Sequence, residues 1–180
     1  TLSLAKQLVE KGIKPILFST DCVFDGTATL YKDNSTPTPL NNYGRHKAIL
    51  EKELPLICGD NFLMLRLSKT YSLEKRDKTL LHEITTKLIK GDKIRAAHDL
   101  CFCPVYVGDV ISATLHLIKK DISGLYNLCG PDHISFANLC YAIAKELGLP
   151  TTSIEEISID DLNLATKRAK NLHLKNSDIY

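Results

Sequence analysis

The chain has 180 residues, 23 basic and 21 acidic side chains and a formal net charge of +2. That length fits one domain with a real core, and the intermixed charge gives no field suited to nucleic acid or an anionic membrane surface. No apolar run approaches the ~18 residues of a membrane span and the first residues carry no signal-peptide pattern, so a cytoplasmic protein is the expectation.

In chain order, Leu4, Leu8 and Ile13 recur at helical spacing, which predicts a helix over Leu2 to Lys11 with Gly12 at its C-terminal cap. Ile16-Leu17-Phe18 is a continuous apolar run, expected of a parallel strand covered on both faces, and it ends at Ser19-Thr20-Asp21. Ligands gather at the carboxyl ends of such strands. Val23 to Asn42 reads as a long loop rich in Gly, Thr, Pro, Asn and Asp, the kind that either binds something or connects passively.

A helix over residues 42 to 54 would place Tyr43, Lys47, Leu50 and Leu54 on one stripe. A lysine that points with leucines needs a partner or a task. The same Tyr-to-Lys spacing occurs at Tyr71/Lys75, in a polar loop, and at Tyr141/Lys145, opposite the stripe Phe136, Leu139, Cys140, Ile143 and Leu147. Only Tyr43/Lys47 therefore reads as chemistry. His46, rotated off the stripe, is expected at the surface.

Pro55 is expected to end or bend that helix. Phe62 to Leu67 is a second apolar strand, making a right-handed βαβ unit. Further on, the pattern predicts a helix over Lys78 to Lys90 closed by Gly91, a strand Ile94 to Ala97, a helix Asp109 to Lys120, a strand Leu125 to Cys129, and a helix capped by Ser135. Ile154 to Ile159 reads as a strand, and the chain ends in what reads as a helix. The six cysteines show no metal spacing and read as free thiols, mostly buried.

STDCVFDGT, followed by PTPLNNYGRHKAILEKE, resembles the extended short-chain dehydrogenase/reductase superfamily and, within it, the dTDP-4-dehydrorhamnose reductase family. LRLSKTY at Leu65 to Tyr71, the spacing Asp99, Pro104, Asp109, and GLYNLCG at Gly124 to Gly130 fit the same family, so the likeness runs nearly end to end. It departs from the family's dehydratases at Cys22, where they carry Glu, and from its reductases at Cys22 and Lys69, where they usually carry Tyr and Trp. No G-x-G-x-x-G or G-x-x-G-x-x-G occurs, so the chain is expected to correspond to the part of the family that follows its glycine-rich, phosphate-cradling half.

The resemblance implies an α/β fold: a Rossmann-like parallel sheet with flanking helices, its N-terminal βαβ missing, plus a small α/β substrate-binding part. Residues 1–72 would be the end of the dinucleotide-binding domain and residues 73–180 the remaining sheet elements and substrate region. It implies reduction of a 4-keto nucleotide-activated deoxysugar by NADPH or NADH. Thr20, Tyr43 and Lys47 would be catalytic; Ser19, Tyr43, Lys47, Leu67 and Ser68 would bind cofactor. Asp21, Cys22, Val23, Lys69 and Arg168 would bind the nucleotide sugar, Arg168 within the basic cluster Lys167, Arg168 and Lys170. A homodimer through the helices at Leu2 to Lys11 and Tyr43 to Leu54 is expected. Two other readings are an epimerase of the superfamily and a non-catalytic subunit like the regulatory beta subunit of methionine adenosyltransferase. The redox reading needs Thr20, Tyr43 and Lys47 to converge on one carbonyl-sized space; a Tyr43 ring facing bulk water, or Lys47 turned to another cavity, would leave only the architecture.

Overall fold

The structure, a computed structural model, describes residues 1–74 and 79–177. Helix α1 spans Leu2–Glu10, strand β1 Ile16–Thr20, helix α2 Asn42–Cys58 and strand β2 Leu63–Leu67. They are followed by β3 (Thr70–Tyr71), α3 (Leu80–Lys90), β4 (Ile94–Ala97), β5 (Cys101–Phe102), β6 (Val105–Tyr106) and α4 (Val107–Lys119). The chain continues through β7 (Gly124–Leu128), β8 (Ile134–Ser135), α5 (Phe136–Glu146), β9 (Ile154–Ile157) and β10 (Asn171–Leu172).

The main sheet is parallel in the order β1-β2-β7, with Phe18 opposite Leu65 and Leu65 opposite Tyr126. Because strand side chains alternate, Leu17, Met64 and Leu125 point to one face, where they pack with Ala5 of α1 and Leu50, Leu54 and Cys58 of α2. Leu63 and Leu65 point to the other, against Val110 and Leu117 of α4. Helices on both faces of a parallel sheet give the expected Rossmann-like α/β architecture.

Three corrections follow from this packing. β1 is not covered on both faces, since Ile16 and Phe18 are exposed at the edge of the sheet. On α1 the core face is Ala5 with half-buried Leu2 and Val9, while Leu4, and Ile13 beyond the helix, are exposed; apolar spacing located the helix but not its inner face. α2 does not stop before Pro55 but continues to Cys58, with the Gly59 amide bonded to the Pro55 carbonyl.

A second layer pairs β4 with β9 in parallel, Ile94 opposite Ile154, under α3 and α5. Ser135 caps α5 as expected, its hydroxyl accepting from the Asn138 amide. Tyr141 is half-buried against this core rather than solvated, while Lys145 is exposed. Of the Tyr71/Lys75 pair, Lys75 lies outside the described residues. Strand β9 ends at Ile157, and Ile159–Leu162 forms a 3-10 turn.

Asp99 locks that turn in place: it accepts from the Ile159 amide at 2.7 Å and the Ser158 hydroxyl at 2.8 Å, and pairs with Lys170 at 2.9 Å. Burial works to raise its carboxyl, but the Ile159 amide, Lys170 and Ser158 outweigh it and hold Asp99 well below the usual carboxylate range. A depressed carboxylate contributes stability above its unfolded value near 4 that is lost as pH falls through its folded value. The urea midpoint of the wild type should therefore fall through this acid range more steeply than that of Asp99→Asn; identical slopes would remove Asp99 from the account.

Where a helix was expected near the chain's end, residues 171–177 are extended. β10 pairs with β5, Tyr31 bridges Leu174, and Leu172 and Leu174 are buried with Val23, Phe24 and Tyr31. The long loop after β1 is thus half core: Phe24 and Tyr31 stack at 4.1 Å between ring centroids. Four of the six cysteines are buried and all six are free thiols.

Candidate active site

The end of β1 turns directly into a 3-10 turn at Asp21–Val23, capped by Thr20, whose hydroxyl accepts from the Cys22 amide at 3.2 Å. α2 begins against this turn. Its N-cap Asn41 accepts from the Gly44 amide at 2.9 Å, and a Cβ on Gly44 would stand 2.1 Å from the Cys22 carbonyl oxygen. Only a residue without a side chain allows that approach. The first turn of α2, with Tyr43, is thereby seated on the strand end.

Lys47 lies one turn further along and donates to the Phe18 carbonyl at 2.7 Å. A lysine ammonium has three donors, and this carbonyl of an edge strand takes one. Tyr43, although on the helix stripe that holds Leu50 and Leu54 in the core, stands beyond the core's end and is 56% exposed. The Thr20 hydroxyl is buried beside Asp21 at 3.2 Å, Lys47 holds the strand, and Tyr43 opens to solvent. His46 is exposed, as expected.

Beneath the turn Asp21 is buried and accepts from the Ser68 hydroxyl at 2.9 Å, and Ser68 in turn accepts from the Cys103 amide at 3.2 Å. Burial pushes the Asp21 carboxyl upward, against the hydrogen bonds of Ser68, Cys22 and Thr20 and the charge of Lys69. Burial, then the Asp21 charge, pushes the Cys22 thiol up to about 11, so it stays protonated at neutral pH.

Several expected site residues turn inward. Val23 is fully buried in the core, so its side chain cannot contact a sugar. Ser19 is buried with its hydroxyl on Glu51 at 2.5 Å, and Ser68 is buried with its hydroxyl on Asp21, so both hydroxyls are engaged within the protein. Leu67 is half-buried against the α4 side of the sheet. Lys69 is exposed at the end of β2, its carbonyl accepting from the Val105 amide. Arg168 is exposed, and the Asn41 side chain donates to the neighbouring Lys167 carbonyl at 3.2 Å, which sets the Arg168 segment beside the start of α2. Lys170 is committed to Asp99 and Asp160.

The sequence reading missed Glu51 and Arg66. Ser19, Arg66 and Asn127 are register partners across the sheet, one polar row facing α2. Glu51 meets the Arg66 guanidinium through both oxygens, at 2.9 and 2.8 Å. The available signal was a lone arginine inside LMLRL, since a charge in a buried strand needs a partner. No grouping of three or more His, Cys, Asp or Glu suited to a metal occurs among the described residues.

A parallel sheet with flanking helices, and a Tyr/Lys helix seated on a strand end, define the architecture of an extended short-chain dehydrogenase/reductase. Within that class the chain belongs to the RmlD substrate binding domain family, whose model matches residues 1–180. It is similar to a probable low-salt glycan biosynthesis reductase of Haloferax volcanii, 28% identical over 98% of this chain and 60% of the relative. It is also similar to methionine adenosyltransferase 2 subunit beta of Xenopus tropicalis, 30% identical over 96% of this chain and 53% of the relative. The structure of a Bacillus anthracis dTDP-4-dehydrorhamnose reductase in complex with NADP superposes with a TM-score of 0.88 at 21% identity, covering 97% of this chain and 61% of that one. The chain thus spans between half and two thirds of the length of these proteins.

Proposed function

We propose that the protein is a reductase that uses NADPH or NADH to reduce the 4-keto group of a nucleotide-activated deoxysugar. The observation that carries this reading is the seating of α2 through Gly44 on the Cys22 carbonyl, which brings the Tyr43 turn and Lys47 to the end of β1. The donor set fits the nicotinamide end of the cofactor: Lys47 has donors beyond the one given to Phe18, suited to ribose hydroxyls. The pyrophosphate end finds no glycine-rich cradle in these residues. When bound, the cofactor supplies the hydride; the chain's residues orient and protonate.

In this reading the exposed Tyr43 ring is the face that cofactor and sugar cover, and its hydroxyl gives a proton to the carbonyl oxygen as the alcohol forms. Thr20 donates to the same oxygen, exchanging its bond to Asp21. Cys22, Lys69 and Arg168 border the sugar nucleotide, with Arg168 suited to a phosphate, and Asp21 acts from beneath through Thr20 and Ser68. The division into a cofactor part, residues 1–72, and a substrate part, residues 73–180, belongs to the same proposal. So do a homodimer through the exposed faces of α1 and α2, where Leu4, Ile49 and Leu56 are open, and a cytoplasmic location. No helix among the described residues is long and apolar enough to cross a membrane.

The test is oxidation of NADPH or NADH by the full gene product, with a 4-keto deoxysugar nucleotide as acceptor and the C4 configuration of the product read by NMR. Lys47→Ala should weaken cofactor binding and turnover together, by tenfold or more each; a loss confined to turnover removes the ribose contact. A second reading, favoured by the 30% identity to methionine adenosyltransferase 2 subunit beta, is a non-catalytic partner of a methionine adenosyltransferase. Co-purification with such an enzyme, and no turnover with any 4-keto sugar nucleotide, would replace the first reading.

A further inference from the structure

Beneath the proposed site lies a buried ionic group that the chemistry does not use. The side chains of Arg66 and Glu51 are each only 4% exposed. A buried ion pair is weak support for stability, because desolvation offsets most of the attraction; its better-attested use is to fix one arrangement among several. What this pair fixes can be read from its partners. Glu51 sits one helical turn after Lys47 on α2, and the two contact adjacent residues of β1: Lys47 holds the Phe18 carbonyl and Glu51 accepts the Ser19 hydroxyl. Arg66 engages both Glu51 oxygens through its planar fork, which sets the rotation of α2 about its axis as well as its distance from the sheet. The guanidinium also donates to the Asp33 carbonyl at 2.8 Å and lies 5.0 Å over the Phe24 ring, so the loop joining Thr20 to Tyr43 is held by the same group.

We propose that Ser19, Glu51 and Arg66 are positioning residues: they lock α2 to the end of β1 and thereby set where Lys47 and Tyr43 stand relative to Thr20. The catalytic consequence rests on the reductase reading; the mechanical lock does not. Ser19 is the point at which to break it, because removing one hydroxyl leaves the Glu51–Arg66 pair intact.

The experiment is Ser19→Ala, Ser19→Thr and Arg66→Lys in the full gene product, with steady-state kinetics and amide hydrogen exchange read side by side. Ser19→Ala should lower kcat about ten- to a hundredfold, the scale of a small misplacement, with KM values within about twofold and the thermal midpoint nearly unmoved. Exchange should quicken at least tenfold in residues 18–22 and 43–47 while β7 keeps its protection. Ser19→Thr, which retains the hydroxyl, should recover most of the turnover. Arg66→Lys keeps the charge but loses the fork, and should show the same local loosening. Wild-type kcat together with wild-type exchange in Ser19→Ala overturns the proposal, as does uniform loosening of the whole sheet. If the wild type reduces no 4-keto sugar, or Tyr43→Phe retains turnover, the reductase reading fails and the exchange data alone decide whether the lock exists.

Discussion

Tyr43→Phe is expected to reduce kcat by about a thousandfold, within the ~10²–10⁴ range of a positioned general acid, while cofactor affinity changes no more than a few fold. The substitution removes one oxygen. Tyr43 is 56% exposed and belongs to none of the buried apolar clusters, so no core packing or stability is lost with it. Gly44 and the Asn41 cap, which seat the turn, are untouched. Among the described residues the phenol has no hydrogen-bonded partner that its loss would orphan. A structural explanation for lost turnover would therefore be excluded by an unchanged unfolding midpoint, and cofactor binding measured by fluorescence would show the pocket still formed. Retained turnover in this variant would leave Lys47 and Thr20 as features of the fold, and the exposure of Tyr43 would then have its simplest meaning.

What the residues disclosed in advance depended on how local the determining physics was. The β1-α2-β2 unit was legible because its apolar runs and the helical spacing of Tyr43, Lys47, Leu50 and Leu54 act within a few residues, whereas the far end of α2, past Pro55, was not. The C-terminal strand was misread as a helix, although Leu172 and Leu174 alternate with Asn171 and His173 as a strand requires. Lys170 could not be read as a structural cation, because its partner Asp99 lies far away in the chain and meets it only through the 3-10 turn after β9. Val23 is the same lesson at the site. Its neighbours Asp21 and Cys22 belong to the strand end, yet the turn sends Val23 into the core with Phe24 and Leu174. Motif position located the turn, and only the packing of the distant C-terminal strand decides which of its side chains face inward.

The largest stability effect is expected from Glu51→Gln. The change is nearly isosteric, so it opens no cavity, but it leaves the Arg66 guanidinium buried against the Phe24 ring without its countercharge. Breaking a buried pair from one side costs about 3–5 kcal/mol, and for a chain of this size each kcal/mol moves the midpoint by roughly 2–4 °C, so a fall of about 10 °C is expected in thermal unfolding. Replacing both partners, Glu51→Leu with Arg66→Met, removes the uncompensated charge and should return much of that loss. It should not return all of it, because the Asp33 carbonyl loses the Arg66 donor and the Ser19 hydroxyl loses its acceptor. The double variant also separates two meanings of the pair. If Glu51 and Arg66 only stabilise, a refolded double variant regains turnover with its midpoint. If they set the rotation of α2 over β1, leucine and methionine fill the space without fixing the angle, and the protein becomes stable while Lys47 and Tyr43 remain misplaced and kcat stays low.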